Sequence, residues 1–301
     1  MKAMVLKAYG GVEQLELRDL PEPKPGPGEV RVKVAAASVN PIDWKLRSGA
    51  AKAMMPLEFP AVLGRDVSGE VVEVAAGVTA LKVGDKVLGL VLNGYAEQVT
   101  ASAVGFARLP AGLDLRDAAA LPLVLLTGAQ LIEEAAQPKK GDTVLVTGAL
   151  GGVGRTAVYV AKQRGAKVIA GVRGKQKADA AALGADQVIA IDDDAEIARL
   201  PPLDVIADTV GHDVIGKLLA HLKPGGTLGS VLGEPPAAKG KPFTVRAMFA
   251  HPDAKRLGEL AGAVARGELA IPISQRLPLA QAGAAQQTAE RGGVGKILLI
   301  V

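Results

Sequence analysis

Residues 142–172 read DTVLVTGALGGVGRTAVYVAKQRGAKVIAGV, and this stretch decides the fold of the second half of the chain. Asp142 to Val146 is an apolar strand-like run, and Thr147 to Gly154 (TGALGGVG) holds four glycines in eight residues. A helical segment follows, then a second apolar run from Lys167 to Val172. A strand ending in a tight turn, a backbone bare of side chains and a helix whose N-terminal amides face that turn together make a place for a pyrophosphate. In register, Ala149, Gly151 and Gly154 take the three small-residue places of the dinucleotide fingerprint, with Gly152 and Val153 between them. A purely structural glycine turn is the alternative; the flanking strand, helix and strand favour the nucleotide.

The tip of the second strand discriminates between nucleotides. NAD-selective sites place a carboxylate there, against the ribose hydroxyls. Here the sequence is AGVRGKQK, Ala170 to Lys177, with no acid and three cations: Arg173, Lys175 and Lys177. A guanidinium meets a 2′-phosphate with two parallel hydrogen bonds, so Arg173 leads and Lys175 or Lys177 assists, favouring NADPH over NADH. The alternative is a solvated basic loop. The acidic run Asp192 to Asp194 reads as the N-cap and first-turn charge of a helix beginning near Ala195.

Composition narrows the remaining classes. A chain of 301 residues with 49% hydrophobic content predicts two domains. The net charge of +4, without a block of like charges, points away from nucleic acid. Without cysteine there is no disulfide, thiol nucleophile or thiolate ligand, and the three histidines, His212, His221 and His251, form no ligand pair. No metal is expected. The N-terminus reads as a strand rather than a signal peptide, and ALPLVLLTGAQLI is broken by Pro122, Thr127, Gly128 and Gln130, short of a membrane span. A soluble, cytoplasmic protein is the expectation.

Up to about Gly112 the chain shows short β-rich runs, EVRVKVAAASV, SGEVVEVA, DKVLGLVL and YAEQVTA, between Pro, Gly and Asp turns. These predict a largely antiparallel, barrel-like domain. From Asp114 the texture becomes α/β: strands TVLVTG, KVIAGV, QVIAI, LDVIADTVG and GGTLGSVLG alternate with helical segments, as a parallel sheet requires. GEPPAAKGKPF then reads as a surface loop and AKRLGELAGAVARG as a helix, and the C-terminal stretch returns to strand, helix and strand.

Taken together, AASVNPIDWKLRSG, FPAVLGRDVSGEVVEVAAGVTALKVGDKVLG, GYAEQV, the glycine-loop stretch, LGADQVI, DTVG, LKPGGTL and VGKILLIV resemble the zinc-free quinone oxidoreductase and zeta-crystallin branch of the medium-chain dehydrogenase/reductase superfamily. The phrases cover nearly the whole chain in the family's order. The resemblance implies an α/β protein with a GroES-like β-barrel catalytic domain (1–118), a Rossmann NADP(H)-binding domain (119–268) and a C-terminal return to the catalytic domain (269–301). It also implies a homodimer and an active site between the two domains. Zinc-dependent relatives have a cysteine at the place of Asn40, Gly-His-Glu at Gly64, Arg65 and Asp66, and a further cysteine near Leu123. Lys45 stands where several relatives carry an active-site tyrosine, Leu150 where a small residue is usual, and Ile191 where NADPH-using relatives have a tyrosine.

By the same resemblance, Asn40 lies at the nicotinamide ribose or substrate oxygen, and Asp43 and Lys45 border the substrate, with Lys45 a possible proton donor. Thr127, Val210, Gly211, Leu232, Gly233 and Lys296 contact the cofactor. Structural alternatives stand beside these: Asn40 as a turn residue before Pro41, Asp43 as a helix cap, Tyr95 as packing, and Arg65 with Asp66 as an ion pair. The chemistry implied is hydride delivery from NADPH to a quinone, or to the double bond of an α,β-unsaturated carbonyl. A low-turnover NADPH-binding sensor or structural protein is the alternative of another class.

Overall fold

The computed structural model describes residues 1–293 and 295–301; Val294, within the last family phrase, and the side chain of His212 lie outside the described residues. The chain forms two units: 1–123 together with 251–301, and 124–250.

In the first unit, β1 (Lys2–Leu6) pairs antiparallel with β2 (Leu15–Asp19) and with the short β4 (Ala61–Val62). The main sheet grows from β3 (Glu29–Ser38), which is followed by α1 (Pro41–Arg47). β3 pairs antiparallel with β5 (Asp66–Val74), β7 (Gln98–Ser102) and β16 (Lys296–Ile300). β6 (Lys86–Leu90) and β8 (Phe106–Arg108) extend the sheet beyond β5, and β15 (Ile273–Pro278) extends it beyond β16. The expected antiparallel character holds except for β15 and β16, which run parallel, joined by α8 (Ala282–Glu290). The two sheets meet where Met4 N–H donates to Tyr95 O at 2.8 Å. The alternating pattern of β3 buries Val30, Val32 and Val34 in a core with Val67, Val71, Tyr95, Phe106, Ile297 and Leu299.

The second unit contains β9 (Thr143–Thr147), α3 (Gly152–Gln163), β10 (Lys167–Val172), α4 (Lys177–Ala180) and β11 (Gln187–Ala190). It continues through α5 (Asp194–Ile197), β12 (Leu203–Asp208), α6 (His212–Leu218), β13 (Leu222–Ser230) and β14 (Thr244–Ala247). All six strands pair in parallel, in the order β11-β10-β9-β12-β13-β14. This is the doubly wound order in which the strand sequence reverses between β9 and β12, the place where such sheets bind ligands. The strand centres Leu145, Ile169, Ile206 and Leu228 are buried together, with Ile191 closing the cluster beside β11. Ile191 therefore fills core space at the place where relatives carry a tyrosine.

Three sequence expectations change. The sixth strand, β14, was hidden because it is four residues long and mostly exposed, so no apolar period marks it. The helix α7 (Ala254–Ala265), expected in the cofactor domain, falls in the first unit, where a Cβ on its Gly258 would lie 3.7 Å from Ala107 of β8. The second unit accordingly runs 124–250, in place of the expected 119–268. Finally, Asp117 to Ala136 is continuously helical, including α2 (Pro122–Gln130), and its 20 residues match the length of a membrane span. Its apolar side chains are covered by the protein, with 78% of the window buried.

Ile206 is fully buried at the centre of the parallel sheet. Ile206→Ala should cost about 2–5 kcal/mol. In urea titrations the midpoint should fall while the slope stays unchanged, since the surface exposed on unfolding is nearly the same.

Candidate functional site

In the first unit, polar side chains from segments far apart in sequence converge on Asp66, the first residue of β5. Its Oδ2 accepts hydrogen bonds from Ser38 Oγ (2.6 Å), Asn40 Nδ2 (2.7 Å) and Lys296 Nζ (3.4 Å), and its Oδ1 accepts from Leu123 N–H at 2.7 Å. Lys296 Nζ donates also to Asn40 Oδ1 (2.7 Å) and Val39 O (3.2 Å). An ammonium has three N–H groups, and all three are taken by protein acceptors. Burial lowers the Lys296 pKa, against the opposing charges of Asp66 and Asp43. Lys296, expected at the cofactor, thus serves here as the cationic tie between β16, β3 and β5.

Asn40 sits in extended backbone as the N-cap of α1, with Pro41 at the first helical position and Asp43 at the third. Asp43 Oδ2 accepts from Asn40 N–H at 2.8 Å, the return half of a capping box, and also from Tyr95 Oη at 2.8 Å. The capping alternative for Asp43 is therefore realised. Tyr95 is fully buried but more than packing, because its hydroxyl holds this carboxylate. Burial pushes the Asp43 carboxyl up to about 7; the Asn40 N–H and Tyr95 hydroxyl oppose the rise, the Asp66 charge adds to it and Lys296 opposes it. Burial, with the neighbouring Asp43 charge, pushes the Tyr95 phenol up. Asp43 Oδ1 is buried without a hydrogen-bond partner among the described residues.

The expected Arg65–Asp66 ion pair does not form: Asp66 turns into the cluster, and Arg65 Nε is buried without a partner among the described residues. Asn40, Asp66 and Leu123, positions tied to metal ligation in zinc relatives, meet through hydrogen bonds in this chain. Among the described residues no three His, Asp or Glu side chains are placed to share a metal ion. Lys45 is half-buried on α1, one residue beyond Trp44.

In the second unit the site is built on Asp208, at the end of β12. Thr147 Oγ1 donates to its Oδ1 at 2.8 Å, as do the N–H groups of Val210 (3.2 Å) and Gly211 (3.0 Å). Ser230 Oγ donates to its Oδ2 at 3.2 Å, and Leu232 N–H donates to Ser230 Oγ at 3.1 Å. The carboxyl ends of β9, β12 and β13 are thereby locked together, with Val210, Gly211 and Leu232 held side by side. Gly211 has φ +65° with ψ −143°, a conformation that side chains rarely adopt, so the turn requires a glycine. Gly233 follows Leu232 in the same turn.

The glycine loop follows β9. Ala149 N–H bonds Gly171 O of β10 (3.1 Å), and Gly151, the N-cap of α3, bonds Gly148 O (2.9 Å). Gly154 packs so closely that a Cβ there would lie 2.2 Å from Gly148 O. No side chain caps α3, so the first-turn N–H groups of Gly152, Val153 and Gly154 have no helical acceptor and suit an anion. These observations fit a dinucleotide pyrophosphate. Thr127 is buried on α2, whose next residue, Gly128, approaches Val153 and Thr156 of α3.

At the tip of β10, Arg173 and Lys175 are exposed and their side chains have no partner among the described residues. Gly174 N–H donates to Asp192 Oδ1 at 2.7 Å, which anchors the turn. Lys177 is different: its Nζ meets both oxygens of Glu196, at 2.7 and 2.8 Å. This pair is partly exposed, and it ties Lys177 to the next βα unit. Asp193 is the N-cap of α5, accepting from Ala195 and Glu196 N–H, as the acidic run predicts.

Comparison with known proteins agrees with this geometry. Residues 26–112 match the alcohol dehydrogenase GroES-like domain, and residues 183–299 match the zinc-binding dehydrogenase family. The quinone oxidoreductase of Pseudomonas aeruginosa is 33% identical over 99% of both chains. The chain belongs to the quinone oxidoreductase branch of the medium-chain dehydrogenase/reductase superfamily. The quinone oxidoreductase of Coxiella burnetii superposes with a TM-score of 0.89 at 34% identity, covering 100% of this chain and 99% of that one. A mycobacterial protein solved in complex with NADPH gives a TM-score of 0.86 at 31% identity, covering 100% of both. The chain spans about three fifths of the length of the chloroplast quinone oxidoreductase homologs of Arabidopsis thaliana and spinach.

Two measurements check the buried cluster. Asp66→Asn and Lys296→Met should each cost about 3 kcal/mol or more, since each leaves a buried charge uncompensated. The double variant should lose less than the sum in a double-mutant cycle. Asp43 keeps its proton to about pH 7 in the folded protein, whereas an unfolded aspartate releases it near pH ~3.9. Its protonated form therefore favours folding at low pH, and that contribution is lost as pH rises through 7. Asp43→Asn stays neutral, so urea titrations at pH 5 and 8 should show the wild type losing stability relative to it.

Proposed function

We propose that this protein is a zinc-independent, NADPH-dependent reductase that transfers hydride to quinones. The observation that carries the reading is the glycine loop with its uncapped α3 amides beside the β10 tip, where Asp192 is engaged by Gly174 N–H and Arg173 and Lys175 stand exposed without protein partners among the described residues. Arg173 supplies a fork that a 2′-phosphate can accept in two parallel hydrogen bonds. When bound, the reduced nicotinamide supplies the hydride.

The chain's own residues bind and orient. The α3 amides hold the pyrophosphate, and Val210, Gly211, Leu232 and Gly233 form a wall fixed through Asp208 and Ser230. Such positioning accounts for a large part of a barrier when the acceptor carbon is already electron-poor. Quinones suit this chemistry because their two carbonyls draw charge away from the attacked atom. Asn40 and Lys296 are committed to Asp66, so their part is to keep β3, β5 and β16 in register. Lys45, half-buried and without a protein partner among the described residues, is the cation proposed to hydrogen-bond the acceptor oxygen, where the proton must finally arrive.

Purified protein assayed with NADPH against matched panels of quinones and α,β-unsaturated carbonyls tests the proposal. Quinones should give kcat/KM at least about tenfold above enones, and Lys45→Met should lower kcat while leaving NADPH affinity unchanged. A preference for enones with saturated products would move the activity to double-bond reduction. Tight NADPH binding without turnover by any acceptor would point to a sensor.

A further inference from the structure

Arg155 lies in the first turn of α3, directly after the glycine loop. Its Nε donates to Leu150 O at 3.0 Å, clasping the tip of the loop from below. The side chain is half-buried, and its two terminal nitrogens have no partner among the described residues. A guanidinium carries five N–H donors, so four are left unmatched by protein at a partly desolvated place, an arrangement that favours an anionic ligand.

The direction in which this guanidinium lies is set by its neighbours. Ala149 N–H ties the loop to Gly171 on β10, and the carboxylate whose charge Arg155 feels is Asp179 of α4, the helix that follows the Arg173 turn. No ion pair forms between Arg155 and Asp179 among the described residues. Arg155 thus lies toward α4, which begins four residues after Arg173 on the β10 side of the sheet. In a doubly wound sheet that side takes the adenosine ribose. At the β10 tip, Lys177 is already paired with Glu196.

We propose that Arg155 is the second guanidinium of the adenosine-phosphate site, a specificity-determining residue that holds the 2′-phosphate of NADPH opposite Arg173. The inference rests on the NADPH reading above. The Nε bond to Leu150 pre-sets the side chain, so the remaining N–H groups meet the phosphate with little rotamer entropy to lose. A leucine at position 150 does not interfere, because the contact uses its carbonyl alone.

Equilibrium titrations of NADPH and NADH, with 2′,5′-ADP and 5′-AMP as fragment probes, test it on Arg155→Ala, Arg155→Gln and Arg173→Ala. Arg155→Ala should weaken NADPH and 2′,5′-ADP by about tenfold or more while changing NADH and 5′-AMP by less than about twofold. Arg155→Gln keeps a donor for Leu150 O without the charge and should show the same selectivity, which covers the case in which the alanine variant misfolds. Equal losses for phosphorylated and unphosphorylated probes would overturn the proposal and leave Arg155 a loop clasp or pyrophosphate contact. If Arg155 proves unselective while Arg173→Ala is selective, only this inference falls. If Arg173→Ala is unselective as well, the NADPH reading falls with it.

Discussion

A carboxylate removed from water must be surrounded by donors, and in the first unit that requirement is met at Asp66 by four groups drawn from three distant parts of the chain. Ser38 and Asn40 come from the end of β3, Leu123 N–H from the start of α2, and Lys296 from β16. Withdrawing any one donor leaves charge exposed to a low-dielectric interior, so the cluster acts as a single unit. The strand pairings of β3 with β5 and β16 place the donors, and the donors in turn hold those ends in register. The same requirement explains why the Lys296 ammonium and the Asn40 side-chain amide are both engaged within the cluster.

The second unit solves a related problem with Asp208. There the carboxylate gathers hydroxyls and backbone N–H groups, so the neighbouring strand ends are locked by dipoles and not by a counter-charge. This leaves the turn at Val210 and Gly211 rigid at the point where the strand order reverses. Such a fixed turn suits the proposed hydride transfer, since small displacements of the reacting groups cost large factors in rate. The two carboxylates have different consequences: Asp66 consumes the polar side chains around it, whereas Asp208 organises backbone and leaves the glycine-loop amides available.

Much of this was legible beforehand, and the reasons can be traced residue by residue. The glycine loop could be read because strand, turn and helix signals are local: the spacing of Ala149, Gly151 and Gly154 reflects how near Gly148 O lies to Gly154. Asp43 as a cap and Asp193 as an N-cap were readable for the same reason, since their partners lie within three residues. Tyr95 was not, because a phenol reaching a carboxylate 52 positions away leaves no periodic trace. Lys177 could not be told apart from Arg173 and Lys175, since its partner, Glu196, arrives on the next βα unit. The helix α7 carried a sound amphipathic pattern, but a pattern states only that a face is buried, and not against which unit.

The sequence by itself determined the first five strands of the α/β sheet and their helices, the nucleotide loop and the tip at Arg173, whose own residues carry no acid. Those follow from steric and periodic rules acting over a few residues. Only the tertiary structure decided which charges are already neutralised and which remain for a ligand. That distinction depends on desolvation and on partners far away in the chain, as Asp66 with Lys296, Tyr95 with Asp43, and Lys177 with Glu196 demonstrate. Arg155 completes the contrast: by spacing it is one more helix residue, and only the fold brings its guanidinium under the influence of Asp179 with four donors unmatched among the described residues.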